Sequence, residues 1–428
     1  MDCVIIAGGN ATRLGVPTIP KSMIPINGVP LLERQIFFAK QYGIKKFFIL
    51  SGRLSCHIQE YFGDGSRFDV DITHIKEPFP LGTSGSVKLA QPFLQSRFLV
   101  FYGDIVMNFN LHKLIKFDET HPSLYGTIVV HPNDHPHDSD IIKVDLNNTI
   151  IGFFPKPHPK NFFYQNIVNA GVYILDPLIF NHIPSDSYSD FGKDIFPYIV
   201  QQESGNLFSA YKTAEYIKDM GTKERLKQVS YDVICGKVTK LHQDNARPAI
   251  FLDRDGVVCT NMNNSIDKTQ FMLLPGVTKS IRKINQSGKL AIIITNQPGI
   301  AKGFFSEEDL EALHAYMETL LGNEGAYLDA IFYCPHYPEK GFVGERQELK
   351  TVCNCRKPQP GLFFSAMKQF NINMEQSWMI GDNIVDMIAG KAAKCNTAFI
   401  GAVSTSIPSY QYNLQADSLS EAIDIILK

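Results

Sequence analysis

Pro248-Ala249-Ile250-Phe251-Leu252-Asp253-Arg254-Asp255-Gly256-Val257 is the stretch that decides the fold. An apolar run that stops at turn residues reads as a buried strand of a parallel sheet. The two acids and the glycine then fall at the carboxyl edge, where such sheets present functional groups. The start of the chain has the same pattern: Cys3-Val4-Ile5-Ile6-Ala7 runs into Gly8-Gly9-Asn10-Ala11-Thr12-Arg13. Two strand-to-loop openings imply two domains, which suits 428 residues at roughly 150 per domain. Residues 223–240 read as a helix, followed by the polar connection His242-Gln243-Asp244-Asn245-Ala246-Arg247. The expected division is therefore residues 1–235, a short linker at 236–247, and residues 248–428. Apolar runs (Phe47 to Leu50, Phe98 to Tyr102, Leu290 to Ile294) alternate with longer helical stretches. That alternation predicts βα units and an α/β class of three-layer domains.

Lys+Arg 41 against Asp+Glu 43 leaves a net charge of -2, so no global positive field draws the chain to nucleic acid or to a membrane surface. A bound phosphate has to be gripped locally. No run reaches the roughly 18 apolar residues of a membrane helix, and the first residues lack a basic stretch followed by an apolar core. The expectation is a cytoplasmic protein. Of the 8 cysteines, Cys3, Cys56, Cys235, Cys259 and Cys395 are scattered, which is no disulfide framework. The others cluster as Cys334-Pro335-His336 and Cys353-Asn354-Cys355. Three thiolates and one imidazole suffice for a closed, structural Zn²⁺ site. Such a site would staple the polar loop between the two pairs and set Arg356 and Lys357 directly behind it.

In the first half, backbone N–H groups of Gly8 and Gly9 can approach a triphosphate closely, with Arg13 and Lys21 adding positive charge. The wider segment through Pro20-Lys21-Ser22-Met23 and Asn27-Gly28-Val29-Pro30 resembles the sugar-phosphate nucleotidyltransferases, which couple a nucleoside triphosphate to a sugar 1-phosphate. Glu77-Pro78-Phe79-Pro80-Leu81-Gly82-Thr83-Ser84-Gly85, Tyr102-Gly103-Asp104 and Asn169-Ala170-Gly171-Val172-Tyr173 keep that family's order. The resemblance implies a mixed, GT-A-like sheet, with Asp104 and Asp219 as carboxylates for Mg²⁺. It places base recognition at Glu77 and the Gly82 loop; one carboxylate can accept guanine's adjacent N1–H and N2–H together, which favours GTP. It also implies sugar-phosphate binding by Lys156 and Asn169. Two positions depart from the pattern: Ala11 replaces a glycine, and Pro155 replaces the acid that would precede Lys156.

The second half resembles the haloacid-dehalogenase-type phosphatases, with a Rossmann-like parallel sheet and a zinc loop. Asp253 to Val257, Ile294-Thr295-Asn296-Gln297, Cys355-Arg356-Lys357-Pro358, and Met379-Ile380-Gly381-Asp382-Asn383 with Asp386 supply its ordered motifs. The resemblance implies that Asp253 attacks phosphorus to form an aspartyl-phosphate and that Asp255 serves as acid and then base. Thr295 and Lys357 stabilise the phosphoryl oxygens, Asn296 and Arg356 bind substrate, and Mg²⁺ is held by Asp253, Asp382 and the Asp255 carbonyl. FLDRDGV, TNQPGIAKG, the zinc ligands and RKPQPG resemble in particular the heptose 1,7-bisphosphate 7-phosphatases.

Together the two halves imply a bifunctional enzyme. One half would hydrolyse D-glycero-D-manno-heptose 1,7-bisphosphate, and the other would join the resulting 1-phosphate to GTP. The alternatives are a mannose-1-phosphate guanylyltransferase fused to a histidinol-phosphate-type phosphatase, or an active phosphatase carrying a nucleotide-binding regulatory domain. The sequence leaves the oligomeric state open.

Overall fold

The computed structural model describes residues 1–9, 14–15, 18–401 and 412–428. The chain forms two compact units. One comprises Met1–His131, Asp138–His158 and Ile167–His242; the other comprises Pro132–His137, Pro159–Asn166 and Gln243–Lys428. The helix expected over 223–240 is interrupted by Gly236, whose φ of 76° separates Lys223–Ile234 from Lys237–Lys240. A left-handed residue cannot continue an α-helix, and glycine adopts that conformation without steric cost.

The first unit is built on a mixed sheet. Its strands run in the order Ile150–Phe154, Ile141–Val144, Val168–Leu175, Phe98–Tyr102, Cys3–Ile6, Lys46–Ser51, Asp71–Lys76. Cys3–Ile6 lies parallel to both of its neighbours, whereas Val168–Leu175 runs antiparallel to Phe98–Tyr102. Period-2 alternation explains the unbroken apolar runs. Cys3, Ile5, Phe47, Ile49, Leu99 and Phe101 face one core, while Val4, Phe48, Leu50, Phe98 and Val100 face another. A strand covered on both faces has no solvent side on which to place polar residues.

The second unit carries an all-parallel sheet in the order Ala330–Cys334, Leu290–Asn296, Ala249–Leu252, Trp378–Gly381, Asn396–Ile400, Leu414–Ala416. Ile250, Leu252, Ala291, Ile293 and Ile380 pack into one core. On the other face Phe251 meets Phe363 edge-to-face with ring centroids 4.9 Å apart. Asp253, Thr295 and Asp382 emerge together at the carboxyl edge because their three strands are adjacent and parallel.

Candidate active sites

In the second unit a cleft of about 410 Å³ is lined by Asp253, Asp255, Thr295, Arg356, Lys357 and Asp382, among others. Strand pairing holds its floor, with the Asp253 N–H donating to the Ile380 carbonyl at 2.9 Å. Gly256 has φ 83°, and a Cβ there would run into the Asp382 carboxylate, so the two loops approach this closely only through a glycine. Lys357, 3% exposed, places Nζ 2.8 Å from Asp253 Oδ1 and 2.6 Å from Asp386 Oδ1. Asn296 grips that lysine's backbone from both sides. Its Nδ2 donates to the Lys357 carbonyl at 3.0 Å, and its Oδ1 accepts the Lys357 N–H at 2.9 Å. The amide is thereby taken up in positioning Lys357.

Asp386 was not among the expected site residues, although it stands in a motif that names it. It closes the capping box of helix Ile384–Ala392, where its Oδ2 accepts the Asn383 N–H at 3.1 Å. This leaves Oδ1 facing Lys357. Burial pushes Asp253 up to about 6 against the attraction of Lys357. Burial and the Asp253 charge likewise push Asp382 up to about 6. Burial also raises Asp386. Burial opposes the Lys357 charge, yet Asp253 and Asp386 hold its pKa above the ordinary value. Three carboxylates against one ammonium leave excess negative charge. Oxygens of Asp253, Asp382 and Asp386 lie within 4.8 Å of one another, so the donor set fits a hard divalent cation. The Asp255 carboxylate stands apart from this trio, held by Arg254 Nη2 at 2.8 and 3.0 Å and by Gln297 Nε2 at 3.0 Å.

Cys334 ends the edge strand Ala330–Cys334. It meets His336, Cys353 and Cys355 with all four ligand atoms within 4.8 Å of one another. Sulfur–sulfur separations are 3.1, 3.3 and 3.5 Å, and Cys355 Sγ lies 3.2 Å from His336 Nδ1. A tetrahedron of Zn–S bonds has edges of roughly 3.8 Å, so the cluster fits Zn²⁺ after a slight expansion. Burial and the hydrogen bond from the neighbouring Cys355 thiol raise Cys334 well above its ordinary value. The Cys334 carbonyl accepts the Gln297 N–H at 2.8 Å, joining this cluster to the loop behind Thr295. Arg356 lies over Tyr337, 5.1 Å from the ring centre.

In the first unit, Gly8 and Gly9 follow the strand Cys3–Ile6, and the Gly9 carbonyl accepts the Lys21 N–H at 3.0 Å. Arg13 and Ala11 lie outside the described residues. Lys21 Nζ is ion-paired with Asp104. The turn carrying Asp104 is fixed by buried Gln35, whose Nε2 donates to the Tyr102 and Ile105 carbonyls at 2.8 Å each. Glu77, 9% exposed, lies against Gly8 so closely that a Cβ there would press on its carboxylate. Gly82 has φ 75° and begins a short helix latched to Ser189, whose carbonyl accepts the Ser84 and Gly85 N–H groups.

A polar string joins the remaining expected residues. Asp219 pairs with Arg225 Nη1 at 3.0 Å, and Arg225 Nη2 reaches Asp138 at 2.7 Å. Lys156 Nζ lies 3.1 Å from the same Asp138. The Lys156 N–H and Asn169 Nδ2 both donate to Asp140 at 3.3 Å. Burial raises the Asp140 carboxyl above its usual range, partly offset by Asn169. No local signal marked Asp138, Asp140 or Arg225, because the 138–140 segment meets Arg225, Lys156 and Asn169 only through the fold.

The sequence model of the nucleotidyl transferase family matches residues 2–234, more than half of the chain, and a HAD-hydrolase-like model matches residues 354–422. The D-glycero-β-D-manno-heptose-1,7-bisphosphate 7-phosphatase of Vibrio cholerae is 41% identical over 155 residues, which cover 36% of this chain and 81% of that protein. The structure of HddC from Yersinia pseudotuberculosis complexed with GMP-PN is 26% identical and covers 54% of this chain and 99% of its own, with a TM-score of 0.46. That of D,D-heptose 1.7-bisphosphate phosphatase from B. bronchiseptica, complexed with magnesium and phosphate, is 27% identical and covers 42% and 98%, with a TM-score of 0.37. Among the described residues no helix is long and apolar enough to cross a membrane. Through its first half the chain belongs to the nucleotidyl transferase family, and through its second half to that of the D-glycero-β-D-manno-heptose-1,7-bisphosphate 7-phosphatases.

Proposed function

We propose that the protein is a bifunctional enzyme of nucleotide-sugar synthesis. It hydrolyses the 7-phosphate of D-glycero-D-manno-heptose 1,7-bisphosphate and transfers guanylyl from GTP to the resulting heptose 1-phosphate, releasing pyrophosphate. The observation that carries this reading is the convergence of Asp253, Thr295, Lys357 and Asp382 on one cleft, joined to a nucleotidyl transferase half whose product is of the kind a sugar 1-phosphate supplies.

In the phosphatase, an Asp253 oxygen attacks phosphorus. The bond to the sugar oxygen breaks, and Asp255 protonates that oxygen. Asp255 then takes a proton from water, which attacks the aspartyl-phosphate and returns Asp253 and inorganic phosphate. Lys357, held by Asp386 and by the Asn296 clamp, faces the phosphoryl oxygens together with Thr295, while Arg356 binds the rest of the substrate. Mg²⁺ held by Asp253, Asp382 and the Asp255 carbonyl, with Asp386 adjoining, would neutralise phosphoryl charge when bound. Zn²⁺ on Cys334, His336, Cys353 and Cys355 would hold the loop that presents Arg356 and Lys357.

In the transferase, Gly8, Gly9, Lys21 and Arg13 receive the triphosphate, and Glu77 with the Gly82 loop receives guanine. Asp104 and Asp219 are the hard-oxygen donors for its Mg²⁺. Lys156 takes the sugar phosphate. Asp140, at the Lys156 backbone and the Asn169 amide, supplies the hydroxyl acceptor that Pro155 does not.

The test is incubation of the pure protein with the bisphosphate, Mg²⁺ and each nucleoside triphosphate in turn, with product masses read. GDP-heptose is expected from GTP. Loss of the anomeric phosphate, or no consumption of GTP, would overturn the reading.

A further inference from the structure

Arg254 stands between the two acids of the Asp253-Arg254-Asp255 motif, yet it points inward as a fully buried cation, 1% exposed. Its Nη2 donates to both Asp255 oxygens at 3.0 and 2.8 Å and to Gln297 Oε1 at 3.1 Å. Its Nη1 lies 3.2 Å from Nε2 of His314. His314 is itself buried, on the core face of helix Glu307–Asn323 beside Leu310, Leu313 and Met317. Burial, and then the Arg254 charge, hold the imidazole well below its ordinary pKa. It is therefore neutral and accepts on Nε2, which places the ring proton on Nδ1.

Gln297 completes the network. With Oε1 taken by Arg254, its Nε2 donates to Asp255 Oδ2 at 3.0 Å and to Thr295 Oγ1 at 3.0 Å. A hydroxyl that accepts one hydrogen bond from Gln297 keeps its own proton for another acceptor. In the proposed reaction that acceptor is a phosphoryl oxygen.

We propose that His314 and Arg254 are positioning residues for the phosphatase: His314 anchors the far side of the guanidinium, and through Gln297 the same anchor orients both Asp255 and Thr295. The inference rests on the roles given to those two residues above. A buried guanidinium without its Nη1 acceptor would close further onto Asp255, since an unpaired buried donor is costly. Asp255 would then lose alignment with the leaving oxygen and with the attacking water, and a misplacement of about 1 Å can cost on the order of 100-fold.

The test uses the full-length protein with Mg²⁺ and p-nitrophenyl phosphate, whose leaving group departs without protonation. In His314→Leu the first turnover should give a burst of nitrophenolate, followed by a steady rate lowered about 10- to 100-fold, with KM falling alongside it so that kcat/KM for this substrate is little changed. His314→Gln, which restores a neutral acceptor, should recover most of the rate. Arg254→Lys keeps the buried charge but cannot bridge His314 and Asp255; it should repeat the His314→Leu kinetics and decides the matter should the leucine variant not fold. Wild-type kinetics in both His314→Leu and Arg254→Lys, a change confined to KM, or equal losses in the leucine and glutamine variants with unchanged melting, would overturn the proposal. Absence of phosphate release from the wild-type protein would instead overturn the phosphatase reading beneath it.

Discussion

Lys357 Nζ lies 2.8 Å from Asp253 Oδ1, with the lysine only 3% exposed. An ammonium buried at that distance offsets the charge of the carboxylate proposed as nucleophile and would face the phosphoryl oxygens of a bound substrate. Lys357→Met should therefore lower phosphate release about 100- to 1,000-fold. Asp253→Asn should abolish release and leave GDP-heptose formation from supplied heptose 1-phosphate unchanged. Parallel assays of phosphate and pyrophosphate check both expectations, and phosphate release by Asp253→Asn at the wild-type rate would count against the nucleophile.

The Cys334, His336, Cys353 and Cys355 cluster predicts one tightly held Zn²⁺ per chain. Stripping it, or replacing Cys355 with Ser, should cost the phosphatase far more than the transferase, because the loop it secures leads directly into Arg356 and Lys357. Metal analysis alongside the two activity assays tests this. Equal losses in both activities would argue that the cluster has a global role.

Asp140 sits at 3.3 Å from both the Lys156 N–H and Asn169 Nδ2. Asp140→Asn should raise the KM for heptose 1-phosphate about 10- to 100-fold, the range of one hydrogen bond to a charged acceptor. The KM for GTP should stay constant. A rise shared equally by both substrates would place Asp140 in the framework of the cleft instead.

Glu77→Gln should remove most of the discrimination between GTP and ATP, about 10- to 100-fold on the same scale, with catalysis on GTP retained in part. Competition between the two nucleotides at fixed heptose 1-phosphate measures it.

Relative to its His314→Gln variant, the phosphatase unit should lose stability below about pH 6.5; the opposing proton uptake of the raised Asp253 and Asp382 is common to both proteins. The His314 pKa is depressed by burial in the folded state, whereas the unfolded chain carries an imidazole near 6.5. As the pH drops through that value only the unfolded state takes up the proton. The His314 contribution to folding then falls by up to about 1.4 kcal/mol per pH unit until its folded pKa is reached. His314→Gln should flatten this slope. Trp378, the chain's sole tryptophan, lies in the parallel sheet, so its fluorescence during urea unfolding at pH 7.5 and 5.5 follows this unit.

Much of both cores and most motif positions were legible in the sequence, because an apolar run followed by Gly-Gly or by Asp-Arg-Asp-Gly specifies a strand and its loop within about ten residues. The Cys/His cluster was legible for the same reason, as the members of each pair are separated by a single residue. The partners of the charges were not. His314 is 60 residues from Arg254, and no spacing rule connects a helix face to a strand end.

The sequence by itself determined two α/β units, the carboxyl-edge acids and the members of the Cys/His cluster, since these depend on local backbone geometry and side-chain chemistry. Only the tertiary structure decided that Asp386 joins Lys357, that Asn296 clamps the Lys357 backbone, that Asp140 accepts from the Lys156 N–H and the Asn169 amide, and that His314 meets Arg254. Each of these pairings is set by which strands lie adjacent and how far a loop carries its side chains. A buried charge takes whichever partner the fold delivers to it.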